Sequence, residues 1–202
     1  MKIAVIGAGR VGTSLGGRWS AGGHDVVYGV RDPADPRFAG LGNTAIPAEA
    51  ARGADVVLVA LPWGAAEPVL RSIDVLDAVV IDATNPLAAN SPEFKGDSEL
   101  SGAQLVAEWA RSSRVVKAFN TTGAGNMAGS TYPGGTPLML CAGDDADAKS
   151  VVSSLATEIG FGAVDAGPLT AARDLEHLAR IWIRLAYSLE HGPDIAFALL
   201  RR

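Results

Sequence analysis

The chain has 202 residues, 48% of them hydrophobic and 19% charged, with a mean hydropathy of +0.20; this is enough for a self-sufficient core and excludes a disordered polymer. A single cysteine and 24 glycines without a period of three exclude a disulfide framework and a collagen helix. The net charge of −5 leaves no electrostatic footprint for nucleic acid or an anionic membrane.

The first residues, Met-Lys-Ile-Ala-Val-Ile-Gly, lack a small-residue cleavage site and read as a strand. From there, apolar runs of strand length alternate with helix-length segments, which predicts a mostly parallel sheet covered by helices on both faces. Strands fall at about residues 2–6, 25–30, 55–60, 78–82, 114–118, 137–141 and 163–165, with a short edge piece at 44–46. Most are unbroken Val, Ile, Leu and Ala runs, as strands buried on both faces should be. Helices fall at 11–21, 47–52, 64–72, 101–111, 146–159 and 171–190. A last short helix is expected after Gly192-Pro193, because Pro suits a helix's first turn. The longest apolar stretch, 56–66, is interrupted by Pro62 and Gly64 and is too short to cross a bilayer. A cytoplasmic protein is expected, since one unpaired cysteine fits a reducing compartment.

Two segments depart from the alternation. Residues 85–97 are polar and hold two prolines, so they read as a loop. Residues 120–135 contain five glycines and directly follow a strand. Connections that long are usually functional, and open α/β sheets bind ligands at the carboxyl ends of their strands.

Gly7-Ala8-Gly9-Arg10-Val11-Gly12 is a G-x-G-x-x-G placed between a strand and an amphipathic helix. Gly7 would permit the tight turn, Gly9 a close approach of backbone to a pyrophosphate, and Gly12 close helix–strand packing. The helix amino terminus then offers free N–H groups to phosphate oxygens. The second strand ends Tyr28-Gly29-Val30-Arg31-Asp32. Val30 occupies the position where NAD-binding domains carry a ribose acid, and Arg31 offers a planar fork suited to the 2′-phosphate of NADP. Asp32 is the competing candidate, either as a ribose acid shifted by two or as an ordinary turn start.

Other strand ends reach the same edge. Leu61, Pro62 and Trp63 would wall the nicotinamide side, or Trp63 would anchor the following helix. Asn85 and Pro86 offer an amide suited to a carboxamide, or a turn start. Asn120 and Thr121 add small polar groups. His24, His177 and His191 lack ligand-like spacing, so no metal site is expected. Cys141 reads as a buried small hydrophobe, and the carboxylates at 144, 145 and 147 as a helix cap.

The segments 7–12, 82–87, 115–121, 141–149 and 165–169 resemble the NADPH:coenzyme F420 oxidoreductases and the wider dinucleotide-binding group that includes the cytosolic domain of the STEAP metalloreductases. Cys-Ala-Gly-Asp-Asp and Asp-Ala-Gly-Pro-Leu point to the F420 reductases; Thr84-Asn85-Pro86 and Lys117-Ala118-Phe119-Asn120-Thr121 are shared by the broader group. The resemblance implies a Rossmann-type doubly wound, mostly parallel α/β sheet with NADP(H) at the fingerprint and Arg31, and a deazaflavin packed beside the nicotinamide. The chain departs from archaeal members at the Gly-rich Thr122-Gly123-Ala124-Gly125. Residues 1–170 are expected to form the NADP-binding domain, and 171–202 a small C-terminal extension of the same unit.

No side chain is assigned as catalytic. Reducing a ketone or imine calls for a positioned proton donor, and none of the four lysines lies in a long C-terminal helix. Exchange of hydride between NADP(H) and coenzyme F420 asks mainly that two rings lie about 3–3.5 Å apart. An NADPH-dependent flavin or ferric reductase, or a non-catalytic NADP(H) sensor, are the alternatives. Gly123 and Gly125 are expected to floor the deazaflavin. Leu175, Leu178, Ile181, Trp182, Leu185, Ala186 and Leu189 form an apolar stripe wide enough for a homodimer.

Overall fold

The strands are β1 (Lys2–Ile6), β2 (Asp25–Gly29), β3 (Thr44–Ala45), β4 (Val56–Val59), β5 (Val79–Asp82), β6 (Val115–Lys117), β7 (Leu138–Gly143) and β8 (Gly162–Asp165). They form one sheet in the order β3-β2-β1-β4-β5-β6-β7-β8 in this computed structural model, which describes residues 1–75, 77–88, 93–94, 99–129 and 131–202. The first six strands are parallel; β7 runs antiparallel to β6, and β8 is parallel to β7. The order reverses between β1 and β4, which makes their carboxyl ends the topological switch point of a doubly wound, Rossmann-type sheet.

Helices cover both faces. They are α1 (Arg10–Ala21), α2 (Pro47–Ala51), α3 (Trp63–Ser72), α4 (Gly102–Ala110), α5 (Ala124–Ala128), α6 (Ala146–Glu158) and α7 (Ala172–Ile183). On one face Leu15 and Trp19 of α1, Met127 of α5 and Val152 and Leu155 of α6 pack on Val5, Tyr28 and Met139. On the other, Leu70 of α3, Val106 and Trp109 of α4 and Leu175 of α7 pack on Ala4, Val57 and Val80. Each fully buried Leu or Val contributes about 1.5–3 kcal/mol relative to exposure, so the two layers hold the strand ends in fixed register. Asp145 caps α6 by accepting from Ala148 N at 2.7 Å, and Asp144 accepts from Leu169 N at 2.9 Å, so this acidic cluster serves as local scaffolding. Cys141 is fully enclosed, and burial pushes its thiol up to about 11.

Three expectations are corrected. No helix forms after Gly192-Pro193. Residues 193–202 run irregularly, because the carbonyls of Pro193 and Ile195 accept from the side chains of Asn126 and Trp182, and Phe197 O accepts from Leu138 N at 2.8 Å. The helix expected at 171–190 is α7 followed by one π-helical turn, Arg184–Ser188. The Gly-rich segment 120–135 is no bare loop, since α5 forms within it and packs against α1. Of the polar segment 85–97, only 85–88 and 93–94 fall within the described residues; Leu87 and Phe94 pair across an antiparallel bridge. Among the described residues, no helix is long and apolar enough to cross a membrane.

Candidate functional site

The fingerprint turn has its shape because of what its glycines omit. Gly7 has φ +107°, and a Cβ there would land on the carbonyl of Ala60 at the end of β4. A Cβ on Gly12 would strike the carbonyl of Gly7 and come within 3.0 Å of Val5, so α1 can close on β1 only with Gly at this position. Gly9 differs from both, because no atom lies within 4 Å of where its Cβ would be. It is the N-cap of α1, without a side-chain cap and with no acidic residue in the first turn. The first amides of α1, those of Arg10, Val11 and Gly12, have no carbonyl one turn earlier within the helix to pair with, and the space at Gly9 is open. This is the geometry in which a helix amino end binds an anion. Arg10 is exposed there and Val11 is half-buried on the core.

At the end of β2, Val30 is buried, with its N–H donating to Ala45 O at 2.9 Å. Arg31 is exposed, and among the described residues no carboxylate pairs with it. Asp32 is committed locally: its Oδ1 accepts from Ala34 N at 3.0 Å, an Asx turn that starts the next loop. The turn role accounts for Asp32, and Arg31 is left as the charged group facing solvent at the strand tip.

The β4 end divides its candidates. Leu61 is half-buried, with a methyl 3.1 Å from where a Cβ on Gly7 would be, so it lies against the fingerprint. Pro62 is the N-cap of α3 and exposed. Trp63 packs its ring on Trp109 of α4 at 5.0 Å between centroids, and it thereby anchors α3 to α4.

The ends of β5 and β6 are joined by a reciprocal amide pair. Asn120 Nδ2 donates to Asn85 Oδ1 at 3.0 Å, and Asn85 Nδ2 donates to Asn120 O at 3.1 Å. Asn120 Nδ2 also donates to Leu175 O of α7 at 3.1 Å, while its Oδ1 is buried without a hydrogen-bond partner. An unsatisfied buried acceptor costs about 1–3 kcal/mol, so this oxygen suits an incoming N–H. Pro86 lies against Gly102 at the start of α4, and Thr121 is buried beside Asn120. Between β6 and Asn120 stands Phe119, a buried aromatic residue at φ +58°. Its ring is held edge-on by Trp19 and Phe161, which offsets a backbone strain of about 1–3 kcal/mol and turns the chain toward the crevice.

Beneath this pair lies a group that sequence reasoning missed. Lys117 is fully buried; its Nζ is 2.9 Å from Asp82 Oδ2 and 3.2 Å from Glu176 Oε1, and it donates to Thr84 O at 2.6 Å. Asp82 Oδ1 accepts from the amide and hydroxyl of Thr84, and Glu176 accepts from Gly102 N and Ala103 N. The signal was present: two apolar strands each end on a charge, and Glu176 keeps helical phase with the buried Ala172, Leu175, Ala179 and Trp182.

The segment after Thr121 is tied down by the protein itself. Trp182 occupies the space beside Gly123, its ring 2.6 Å from where a Cβ would be, so Gly123 faces its own chain and does not floor a ligand. Asn126 Nδ2 lies 3.0 Å from Thr122 Oγ1 and from the carbonyls of Pro193 and Ile195. Gly125 is exposed, and apart from its chain neighbours and the backbone of its own helix no described residue comes within 4 Å of where its Cβ would be.

Residues 2–86 match the family of coenzyme F420-dependent NADP oxidoreductases. Rat metalloreductase STEAP3 is 29% identical over 178 residues, which cover 87% of this chain and 36% of that protein. Human metalloreductase STEAP2 is 27% identical over 205 residues, 96% of this chain and 38% of that one. The chain thus spans little more than a third of these relatives' length. Among solved structures, a candidate F420-dependent NADP reductase from Arthrobacter sp. FB24 superposes with a TM-score of 0.85 at 29% identity, covering 100% of both chains. A reductive aminase from Aspergillus terreus, at 17% identity and TM-score 0.66 over 93% of this chain and 62% of that one, shares the fold. The family resemblance carried by the sequence motifs and its STEAP-like relation are both found in these matches.

Proposed function

We propose that this chain, an NADP-dependent oxidoreductase, transfers hydride between NADP(H) and coenzyme F420. The observation that carries the reading is the state of Lys117. Held by Asp82, Glu176 and the carbonyl of Thr84 and fully buried, it cannot serve a carbonyl or imine in the crevice as proton donor. Exchange between two redox rings needs no such donor, only a spacing of about 3–3.5 Å. NADP(H), when bound, supplies the hydride. The open amino end of α1 beside Gly9 would hold the pyrophosphate, and Arg31 the 2′-phosphate. The partnerless Oδ1 of Asn120 would accept an N–H of the carboxamide, with Asn85 fixing its orientation.

A second reading, reduction of a flavin or a ferric chelate, is supported by the similarity to rat metalloreductase STEAP3. A sensor that binds NADP(H) without turnover is the third. Steady-state absorbance with NADPH and, in parallel, F420, FMN or ferric citrate separates them. Turnover is expected with F420. Turnover only with FMN or ferric citrate would transfer the proposal to the second reading, and tight NADPH binding with no turnover at all to the third.

Gly125 gives the second ring its own test, because the space beside it is open. Gly125→Val should lower turnover with F420 and leave NADPH affinity within about twofold, since scattered surface substitutions change stability by about 0.5 kcal/mol at most. A parallel loss of both would make the segment a support of the fold.

We further propose a homodimer. Ile181, Tyr187, Leu189, Leu199 and Leu200 are each more than half exposed, and all lie on α7 or the residues after it. Light scattering at micromolar concentration should give twice the chain mass; a monomer would end the proposal.

A further inference from the structure

We infer that the buried Asp82–Lys117–Glu176 triad sets the charge of the crevice floor and biases the site toward the oxidised, cationic nicotinamide. The inference rests on the NADP(H) reading above. One ammonium faces two carboxylates, for a formal net charge of −1. Both carboxylates are met only by donors: Asp82 by the amide and hydroxyl of Thr84 and by Lys117, Glu176 by two amides of α4 and by Lys117.

The position of the triad gives the charge its target. Asp82 precedes Asn85 by three residues on one strand end, and Lys117 precedes Asn120 by three on the next. Glu176 adjoins Leu175, whose carbonyl accepts from Asn120. The triad therefore adjoins the amide pair: Lys117 Nζ donates to Thr84 O, the carbonyl bonded to Asn85 N, and Leu175, beside Glu176, accepts from Asn120. All three side chains are at most 3% exposed, so neither solvent nor salt screens them well.

A buried triad is a costly way to join elements, since well-packed apolar side chains would often hold them at least as firmly. Its cost is explained if the charge acts on the ligand. Dihydronicotinamide is neutral and nicotinamide is a cation, so a negative floor favours the second over the first. The positive amino end of α4 beside Glu176 reduces the field without cancelling it. For a ring about 10 Å away at an effective dielectric constant of about 20, a unit charge halved in that way corresponds to about a fourfold preference.

The test is the ratio of NADP+ to NADPH affinity on the full chain, with NADPH followed by its own fluorescence and NADP+ by calorimetry. Glu176→Gln and Asp82→Asn each remove a full unit charge while the helix end stays, and should each weaken NADP+ relative to NADPH by about 15-fold. Lys117→Met, which removes the cation, should move the ratio in the opposite direction. Asp165→Asn, in an exposed pair with Lys149, should leave the ratio unchanged. A role confined to structure would weaken both nucleotides together in every variant and leave the ratio where it was, which would overturn the inference. Should Lys117→Met fail to fold, the two carboxylate variants decide by their common sign. A wild type that binds neither nucleotide would refute the NADP(H) reading itself. Binding of both, with an unmoved ratio, would refute only the triad's part.

Discussion

Arg31→Ala is expected to weaken NADPH binding by about 10- to 100-fold, the equivalent of one charge-assisted hydrogen bond at about 1.5–3 kcal/mol. NADH has no 2′-phosphate, so its affinity should scarcely change and discrimination between the two should collapse. The geometry supports the assignment from both sides: Asp32 is spent on the Asx turn, and Arg31 stands exposed with no carboxylate among the described residues to neutralise it. Arg10 is the informative control, because it lies at the start of α1 where the pyrophosphate would sit. Arg10→Ala should weaken both nucleotides alike. Titrating NADPH and NADH into both variants separates the two roles. Equal losses in Arg31→Ala, or a wild type that prefers NADH, would show that the 2′-phosphate is read elsewhere.

Gly7→Ala should be strongly destabilising. Its φ of +107° is a conformation L side chains rarely adopt, and the new Cβ would be driven into the carbonyl of Ala60. Backbone strain of about 1–3 kcal/mol adds to an overpacking cost of about 1–3 kcal/mol. For a chain of this size each kcal/mol lowers Tm by about 2–4 °C, so a fall of roughly 5–20 °C in a thermal melt is expected. Both dinucleotides should be lost together, because the β1 turn and the start of α1 move as one. A melt within a degree of wild type would mean that the turn tolerates a side chain and that its glycine is there for another reason.

The fold was legible wherever one segment's pattern decided its own structure. Val56–Val59 and Val79–Asp82 are short apolar runs that only a doubly covered strand accommodates, and the glycine fingerprint carries its turn geometry in its spacing. What escaped was decided between segments. Helix α5 is five residues, Ala124–Ala128, too short for any periodicity, and it exists because Met127 is buried and Asn126 is held by distant carbonyls. The same carbonyls explain why Pro193 starts no helix. Trp63 has two plausible uses by its place in the sequence, and only the position of Trp109 on another helix decides between them. The triad hid for a related reason: Asp82, Lys117 and Glu176 are unremarkable singly, and they belong to one group only because parallel strands and a returning helix bring three remote positions within 3.2 Å.

The reversal of β7 and β8 decides which part of α7 the crevice meets. Because β8 points away from the carboxyl edge of β1–β6, the chain leaves it at the opposite edge, and α7 must travel back along the direction of β6. It passes Asn120 at Leu175, in its first turn, and Gly123 at Trp182, near its end. Helix α1 meets the same crevice with its amino end. Helix α1 thus offers the crevice its uncapped N–H groups, whereas α7 lies along it with its last carbonyls spent on the π-helical turn that follows. A dinucleotide lying across the switch point would meet the amino end of α1 with its phosphates and the flank of α7 with its redox ring. Had the last two strands run parallel to the rest, the helix after β8 would have started at the crevice, and its amino end rather than its flank would have faced the ligand.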